Sequence, residues 1–254
     1  MPTVWASASL AGVPCPLVCR PPVRVRKRER ETMQDLVELL RSNPYPGRGI
    51  VVGRDHAGTQ AVYYWIMGRS ANSRNRVFVT TEDGIRTQAH DPSKLEDPSL
   101  IIYHPVRAMG DALVVTNGDQ TDTIVGKGDF HAGCMARAYE PDAPNFTPRI
   151  SCVISPDGSF ELSILKRQGG NDTKASDRCV RAFFSYEGAD AGAGYFISTY
   201  QCDGSPLPSF AGEPVEVTMP GAGEVWEALD ADNKVSLYAN VGGKVRLYNK
   251  NLGD

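Results

Sequence analysis

The sequence lacks a long apolar segment. Its 254 residues are 41% hydrophobic and 22% charged, and no apolar run approaches the ~18 residues that a membrane helix needs. This is the composition of an ordinary globular protein, with one large domain or two small ones. We therefore expect no membrane partner, and we expect the protein to work in the cytoplasm.

An excess of positive charge is missing from most of the chain. The formal net charge is -3. Residues 1–32 carry six Lys/Arg against two Glu, a net charge of +4, so the remaining residues have a net charge of -7. Proteins that bind a nucleic-acid duplex place their excess positive charge on the folded domain. The charge distribution thus argues against a nucleic-acid partner.

The six cysteines are not spaced as metal ligands. Only Cys15 and Cys19 are close together in the sequence, and the four histidines lie apart from one another and from the cysteines. Protein metal sites combine such ligands at short, characteristic spacings. We therefore expect reduced, mostly buried thiols and no metal site.

Several nucleotide-binding and catalytic motifs are also absent. The chain contains no glycine-rich phosphate loop with its lysine, no dinucleotide-binding fingerprint and no nucleophile elbow. A phosphate group, if the protein binds one, must therefore be held by arginines.

Residues 1–32 differ from the rest of the chain. They are rich in proline, show no helical or strand period and contain a basic run over residues 24–30. A secretory signal places its charges before the apolar run, whereas here the apolar residues 10–18 come first. A transit peptide is the other alternative, although two glutamates near the arginines weaken it. We expect a disordered basic extension, translated from a start upstream of the natural one, and a single domain over residues 33–254.

The most informative stretch is an arginine-rich turn. The eight residues from Arg69 to Arg76 contain three arginines, two asparagines and two serines, and apolar strands flank them on both sides. Guanidinium groups present a planar fork that matches two oxygens of a phosphate or carboxylate. A solvated basic turn is the alternative. Because the flanking strands are strongly apolar, we expect a rigid turn held against the core, which is suited to an anion site.

The remaining pattern predicts mostly hairpins. A short helix is expected over residues 33–41, another over 130–138 and a third over 225–229. The predicted strands cover residues 48–54, 61–67, 77–80, 85–89, 100–106, 112–116, 150–154, 160–166, 182–186 and 195–200, and a final hairpin covers 234–248. Many hairpins, few helices and no repeated βαβ alternation predict an α+β protein with large antiparallel sheets partly covered by helices.

Two polar segments are candidate parts of a binding site. Residues 117–123 follow a strand and offer backbone N–H groups and side-chain amides to a ligand above the sheet. Residues 139–149 carry two carboxylates, an amide and an arginine, together with three prolines that stiffen the loop. A stiff polar loop is suited to positioning a bound group.

Four motifs in a fixed order carry a family resemblance. They are Gly47-Arg48-Gly49-Ile50, then Met67-Gly68-Arg69-Ser70 with Ser73-Arg74-Asn75-Arg76, then Asn117-Gly118-Asp119-Gln120-Thr121-Asp122-Thr123, and finally Asn145-Phe146-Thr147-Pro148-Arg149-Ile150. From about Met33 to the C-terminus, the chain resembles the archaeal-type inosine monophosphate (IMP) cyclohydrolases and their bacterial relatives. This resemblance implies a four-layer αββα sandwich, similar to the N-terminal-nucleophile hydrolase fold. That fold usually acts through a first-position Ser, Thr or Cys, and none follows Met1 or Met33.

The resemblance also implies a reaction. It is the closure of 5-formamidoimidazole-4-carboxamide ribonucleotide to IMP with loss of water, in purine biosynthesis. A carboxamide nitrogen attacks a formyl carbon of the same molecule, which requires orientation, stabilisation of charge on the formyl oxygen and proton transfer. The implied hydrolase needs no cofactor and no metal. Its partner is a small purine nucleotide, and a homo-oligomer is compatible with the sequence.

Three residues are catalytic candidates by this resemblance. Arg76 would stabilise negative charge or orient the formyl group, Tyr103 would donate to the formyl oxygen, and Glu140 would take a proton or steer the amide. The candidate substrate-binding residues, including arginines expected to hold the 5′-phosphate, are Arg69, Ser70, Arg74, Asn75, Arg107, Asn117, Gln120, Asn145, Thr147 and Arg149.

The sequence leaves other interpretations open. Without the resemblance, Arg76 would be an ordinary phosphate-contacting arginine, Tyr103 a half-buried strand residue and Glu140 a solvated loop residue. A catalytically inactive purine-nucleotide-binding module would keep the same arginines as the enzyme. An amidohydrolase of the same fold is disfavoured, because the nucleophile is missing.

Overall fold

The structure, a computed structural model, describes residues 33–95, 98, 101–172 and 176–254. The extension predicted over residues 1–32 lies outside the described residues. Among the described residues, no helix is long and apolar enough to cross a membrane.

Strands dominate the described part of the chain. The helices are α1 (Leu36–Ser42), α2 (Ala71–Arg74), α3 (Gln120–Lys127), α4 (Phe130–Met135) and α5 (Ala222–Ala228). The strands are β1 (Gly49–Arg54), β2 (Gln60–Met67), β3 (Arg76–Thr80), β4 (Gly84–Ala89), β5 (Val106–Met109), β6 (Ala112–Thr116), β7 (Arg149–Ile154), β8 (Phe160–Arg167), β9 (Cys179–Tyr186), β10 (Ala193–Ser198), β11 (Val215–Thr218), β12 (Lys234–Val241) and β13 (Lys244–Asn249).

The strands form two antiparallel sheets. A six-stranded sheet has the order β11-β10-β1-β2-β12-β13, and a seven-stranded sheet has the order β3-β4-β5-β6-β7-β8-β9. All neighbours in the second sheet are consecutive in sequence, and short turns join β3 to β4, β5 to β6 and β7 to β8 as hairpins. The prediction of an α+β protein with two large antiparallel sheets and few helices is confirmed.

The side chains of β2 show how the layers stack. Successive strand residues point to opposite faces of a sheet. Tyr64 and Ile66 pack in the core shared with Phe78 and Ile150 of the other sheet, whereas Trp65 belongs to a second core on the opposite face. Both faces of this strand are therefore buried, which explains its nearly continuous run of large apolar residues.

Helices cover the outer face of each sheet. Leu40 of α1 and Trp226 of α5 join the core that contains Trp65. On the other sheet, Ile124 of α3 and Phe130 of α4 pack with Val114 and Leu165. The layers therefore follow the order helix, sheet, sheet, helix.

The prediction of a strand over residues 100–106 is wrong. The N–H groups of Ile101 and Ile102 donate to the carbonyl of Pro98 in a turn, and β5 begins only at Val106, after Pro105. Proline lacks an N–H group and is confined to strand ends, edges and turns, so it separates this turn from the strand. As a result, Tyr103 lies in the turn instead of on a strand.

Three other element predictions differ from the structure. Residues 117–123 were expected to be a loop that could cap a helix, but the second half of the segment belongs to α3, which runs from Gln120 to Lys127. The helix expected over residues 130–138 ends at Met135. Strand β11 was not predicted, because its four residues are too few to show a period.

Candidate active site

Arg48 lies where the chain enters β1. Its backbone N–H donates to Thr199 Oγ1 at 3.1 Å, and its carbonyl accepts from the Thr199 N–H at 2.9 Å. Gly47 precedes it with φ 76°, and a Cβ at that position would lie 2.3 Å from Thr199 Oγ1 and 2.5 Å from the Tyr200 ring. A glycine is required there, since only it combines this φ with such close packing.

Arg76 and Tyr103 lie close together in the interior. Arg76 is fully buried at the start of β3, and its Nε donates to the Ser73 carbonyl at 2.7 Å. The Tyr103 hydroxyl lies 2.8 Å from the Tyr64 hydroxyl, while its backbone N–H donates to Thr87 Oγ1 at 2.8 Å. Burial lowers the pKa of Arg76, and the Tyr103 hydroxyl is the neighbouring group that most opposes this effect.

Glu140 is a buried carboxylate in the stiff loop after α4. Its side chain is 2% exposed, and its backbone N–H donates to the Thr147 carbonyl at 2.9 Å. Burial raises the pKa of Glu140 to about 7, although attraction to Arg48 and Arg149 acts in the opposite direction. A carboxyl group with this pKa can accept and return a proton near neutral pH.

Arg48 connects these groups electrostatically. Its charge interacts with Glu140 and with the hydroxyls of Tyr200, Tyr103 and Tyr45, and it also acts on Arg76. The three catalytic candidates therefore share one neighbour. Sequence reasoning placed Arg48 in the first family motif but gave it no role, and the available signal was an arginine between two glycines at the start of a buried strand.

A hydroxyl chain extends this cluster. Thr147 Oγ1 lies 2.5 Å from the Tyr200 hydroxyl and donates to a carboxylate oxygen of Asp142. The Tyr200 ring stacks on Tyr45, with 6.0 Å between the ring centroids. Thr147, a predicted binding residue, thus lies next to the cluster, and Tyr200 and Tyr45 are further members that the sequence did not indicate.

Predicted binding residues also build a buried network beside Glu140. Gln120 Oε1 accepts from Arg149 Nη1 at 2.7 Å, and Gln120 Nε2 donates to Asn117 Oδ1 at 3.0 Å. The Arg149 Nη1 atom lies 2.8 Å from Asp119 Oδ1 and 3.9 Å from Glu140 Oε1. Asn117, Gln120 and Arg149 are therefore brought together, and their hydrogen bonds hold Arg149 against Glu140.

Arg69 is an exposed arginine that packs on Tyr45. Its guanidinium carbon lies 5.1 Å from the centroid of the Tyr45 ring, and its Nη1 donates to Asp203 at 2.7 Å and to the Gly204 carbonyl at 2.9 Å. The neighbouring Ser70 caps α2 through Ser73. Among the described residues, the Nε and Nη2 of Arg69 have no hydrogen-bond partner and can donate to a ligand.

The other predicted binding residues bind other parts of the protein. Arg74 donates to the Gly68 carbonyl and to Asn233, and the Asn75 amide pairs with the backbone of Asp91. Arg107 forms ion pairs with Asp83 and Asp122, and Asn145 accepts from the Leu207 N–H. We leave Arg74, Asn75 and Arg107 out of the site for this reason.

Two clefts in the described part of the chain do not contain the catalytic candidates. One of about 560 Å³ is lined by residues that include Arg41, His56 and Glu227, and another of about 560 Å³ is lined by residues 166–171 and parts of the loop at 206–211. We take the Arg48 cluster as the site because it combines buried charge with unpaired donors. Among the described residues, no group of three or more His, Cys, Asp or Glu side chains could hold a metal ion.

Comparison with known proteins identifies the family of this chain. The sequence model of the family described as IMP cyclohydrolase-like protein matches residues 45–244. The chain belongs to this family. The matched segment of this IMP cyclohydrolase-like protein contains Arg48, Arg76, Tyr103, Glu140 and Tyr200.

Curated relatives carry the same family name. The IMP cyclohydrolase of Methanococcus aeolicus is 26% identical over 166 residues, which cover 62% of this chain and 75% of the relative. That of Methanopyrus kandleri is 32% identical over 166 residues, with 61% and 75% covered. The IMP cyclohydrolase of Methanococcus maripaludis strain C6 is 33% identical over 127 residues, which cover 46% of this chain and 61% of the relative.

Proposed function

We propose that the protein is an IMP cyclohydrolase. It closes 5-formamidoimidazole-4-carboxamide ribonucleotide to IMP with loss of water, in purine nucleotide biosynthesis. The observation that carries the proposal is the grouping of Arg76, Tyr103 and Glu140 around Arg48. Membership of the IMP cyclohydrolase-like family supports it, as do relatives that are named IMP cyclohydrolases.

In the first step, the carboxamide nitrogen attacks the formyl carbon. A C–N bond forms, and the electron pair of the formyl C=O bond moves to oxygen. Arg76 stabilises the resulting negative charge, Glu140 takes a proton from the attacking nitrogen, and Tyr103 donates to the oxygen. Both reacting groups are already tethered in one molecule, so the protein fixes their orientation and stabilises charge.

In the second step, the carbinolamine loses water. The C–O bond breaks, and the hydroxyl group, which Tyr103 protonated in the first step, leaves with the proton that Glu140 returns. The former formamide nitrogen gives its own proton back to Tyr103 as the ring becomes aromatic. A pKa of about 7 suits Glu140 to both directions of transfer. Arg149, held by Gln120 and Asp119, positions the carboxylate.

The 5′-phosphate is assigned to the exposed side of the site. Arg69 has free donor atoms and packs on Tyr45, which connects it to the buried cluster. Ser70 follows it in the same turn. A guanidinium at this position binds substrate and transition state alike, because the phosphate does not react.

The fold and compartment form part of the proposal. We assign the four layers to the N-terminal-nucleophile hydrolase fold, supported by two stacked antiparallel sheets with helices on both outer faces. Residues 33–254 form its single domain. Cys134, Cys152, Cys179 and Cys202 are free thiols, which agrees with a cytoplasmic enzyme.

Turnover of the formylated ribonucleotide tests the function directly. The purified protein is mixed with 5-formamidoimidazole-4-carboxamide ribonucleotide, and IMP formation is followed by absorbance. We expect IMP to form at a rate proportional to protein concentration, and Tyr103→Phe to lower kcat about ten- to a thousandfold without unfolding the protein. A protein that binds IMP with no turnover would instead be the inactive binding module.

A further inference from the structure

Arg48 is a buried cation without a partner. Its side chain is 9% exposed, and its Nε is fully buried with no hydrogen-bond partner. Among the described residues, its guanidinium forms no hydrogen bond and no ion pair within 4 Å. The attraction of Glu140 is the largest favourable charge effect on it, yet the two groups do not touch.

Arg76 shows the same feature on a neighbouring guanidinium. It is fully buried, and its Nη1 has no hydrogen-bond partner. Its Nε donates to the Ser73 carbonyl, and its Nη2 makes only a long 3.5 Å contact with the Met67 carbonyl. Met67 ends β2, in which Trp65 pairs with Gly49, the residue after Arg48. The Arg48 charge acts on Arg76 unfavourably. Two like charges therefore lie near each other, each with an unused N–H group.

Such an arrangement is costly unless an anion completes it. Buried donors are almost always paired, and a buried charge without a partner costs several kcal/mol. Tyr103 and Tyr64 contribute hydroxyl groups near both guanidiniums, but these are neutral. The unpaired donors thus indicate the place where negative charge is bound.

We propose that Arg48 is a second catalytic guanidinium, which together with Arg76 binds the formyl oxygen as it becomes negatively charged. This proposal rests on the proposed function and adds to it a residue that the family resemblance did not mark as catalytic. Two guanidiniums with preformed, unused donors stabilise an oxyanion without reorganising during the reaction. Arg48 also faces Glu140, so it acts on both partners of the proton transfer.

The location favours the formyl oxygen over the ribonucleotide phosphate. Glu140 interacts with Arg48, and its other charged neighbours are Arg149, Asp142 and Asp119. A phosphate dianion bound at Arg48 would be repelled by these carboxylates. A single oxygen that gains charge only as Glu140 accepts a proton meets less repulsion, because the Glu140 carboxyl is then neutral.

Three variants test the role of Arg48. Arg48→Gln removes the charge, Arg48→Lys keeps the charge without the planar fork, and Arg54→Gln is the matched control. Arg54 ends the same strand, roughly 20 Å away, and its Nε is also buried without a partner. The control therefore separates the position beside Arg76 from the general effect of losing a buried guanidinium.

We expect Arg48→Gln to lower kcat about 100- to 1000-fold with a smaller change in KM. Arg48→Lys should recover part of this loss, and Arg54→Gln should keep the unaltered kcat. Removal of the Arg48 charge should also raise the pKa of Glu140, measured by carboxyl ¹³C NMR, and shift the acidic limb of the rate profile to higher pH. If Arg48→Gln does not fold, Arg48→Lys supplies the kinetic test.

Two results would overturn the proposal. One is a folded Arg48→Gln protein with kcat within about threefold of the unaltered enzyme. The other is weaker binding of IMP, but not of inosine, with kcat unchanged, which would assign Arg48 to the phosphate. If the unaltered protein makes no IMP, the proposed function fails first. An unchanged Glu140 pKa in Arg48→Gln would then also reject the electrostatic effect of Arg48 on Glu140.

Discussion

The hydroxyl oxygens of Tyr64 and Tyr103 lie 2.8 Å apart in the protein interior. Each phenol has a single proton, so only one of them can be the donor in this pair. Burial raises the pKa of Tyr64 well above that of an ordinary phenol, and the Tyr103 contact adds to the effect. Tyr64 therefore stays protonated, and when it donates to Tyr103, the Tyr103 proton is free to point at the substrate.

Tyr64→Phe should lower kcat about three- to tenfold, because one buried hydrogen bond that orients Tyr103 is lost. In a Tyr103→Phe background, the same change should cause little further loss, since the two residues act as a unit. Steady-state kinetics of the four proteins check this. The control is Tyr63→Phe, which removes the hydrogen bond to the Pro220 carbonyl on the opposite face of β2 and should leave kcat unchanged.

Arg69→Ala should raise KM more than it lowers kcat, because phosphate binding is uniform along the reaction. IMP should bind more weakly to this variant, while inosine, which lacks the phosphate, should bind as before. Arg74→Ala is the comparison. Its guanidinium already donates to Gly68 and Asn233, so we expect a lower melting temperature with unchanged IMP affinity. Equal IMP affinity in Arg69→Ala and the unaltered protein would place the phosphate elsewhere.

The rate should rise with pH through about 7, the pKa to which burial raises Glu140, because the base must be ionised. The contribution of Glu140 to the stability of the folded protein should instead fall as pH rises. Between the ordinary value of 4.5 and about 7, the folded protein binds the proton more tightly than the unfolded chain does. Stability from this group is thus present at low pH and is lost as pH rises through about 7.

Glu140→Gln mimics the protonated carboxyl and should therefore be nearly inactive at all pH values. Its melting temperature relative to the unaltered protein should increase as pH rises from about 5 to about 8. Thermal melts of both proteins over this range provide the measurement. A constant difference in melting temperature would contradict the raised pKa of Glu140.

Gly118→Ala should reduce kcat while the protein stays folded. A Cβ at this position would lie 2.5 Å from Arg149 Nη1, 2.7 Å from Gln120 Oε1 and 3.2 Å from Glu140 Oε1, so the network that positions Glu140 must shift. Gly126→Ala is the control, because nothing lies within 4 Å of its Cβ. Because Gly126 is an interior position of α3, the Gly126→Ala protein should gain about 0.5–1 kcal/mol of stability and keep the kcat of the unaltered protein.

Local chemistry explains the elements that sequence reasoning predicted well. The hairpin turned at Gly242 and Gly243 combines tight-turn residues with apolar flanks and occurs in the structure. The turn at Gly110 and Asp111 also occurs, but its first strand covers Val106–Met109 and not residues 100–106. The turn before Val106 was missed because Ile101 and Ile102 are strand-forming residues whose N–H groups are taken by Pro98. Here the hydrogen bonds of a local turn overrode strand propensity.

The amino-acid sequence alone predicted large antiparallel sheets from its pattern of hairpins. The family resemblance, carried by four motifs in a fixed order, named Arg76, Tyr103 and Glu140 as catalytic candidates. Neither could show that Arg48 lies among them, or that Arg74 and Arg107 are engaged elsewhere. These facts depend on contacts between residues far apart in the chain, such as Arg48 with Thr199 and Tyr64 with Tyr103. No local period encodes such contacts, because they form only when strands distant in sequence pair and the two sheets pack together, which removes these charges from water.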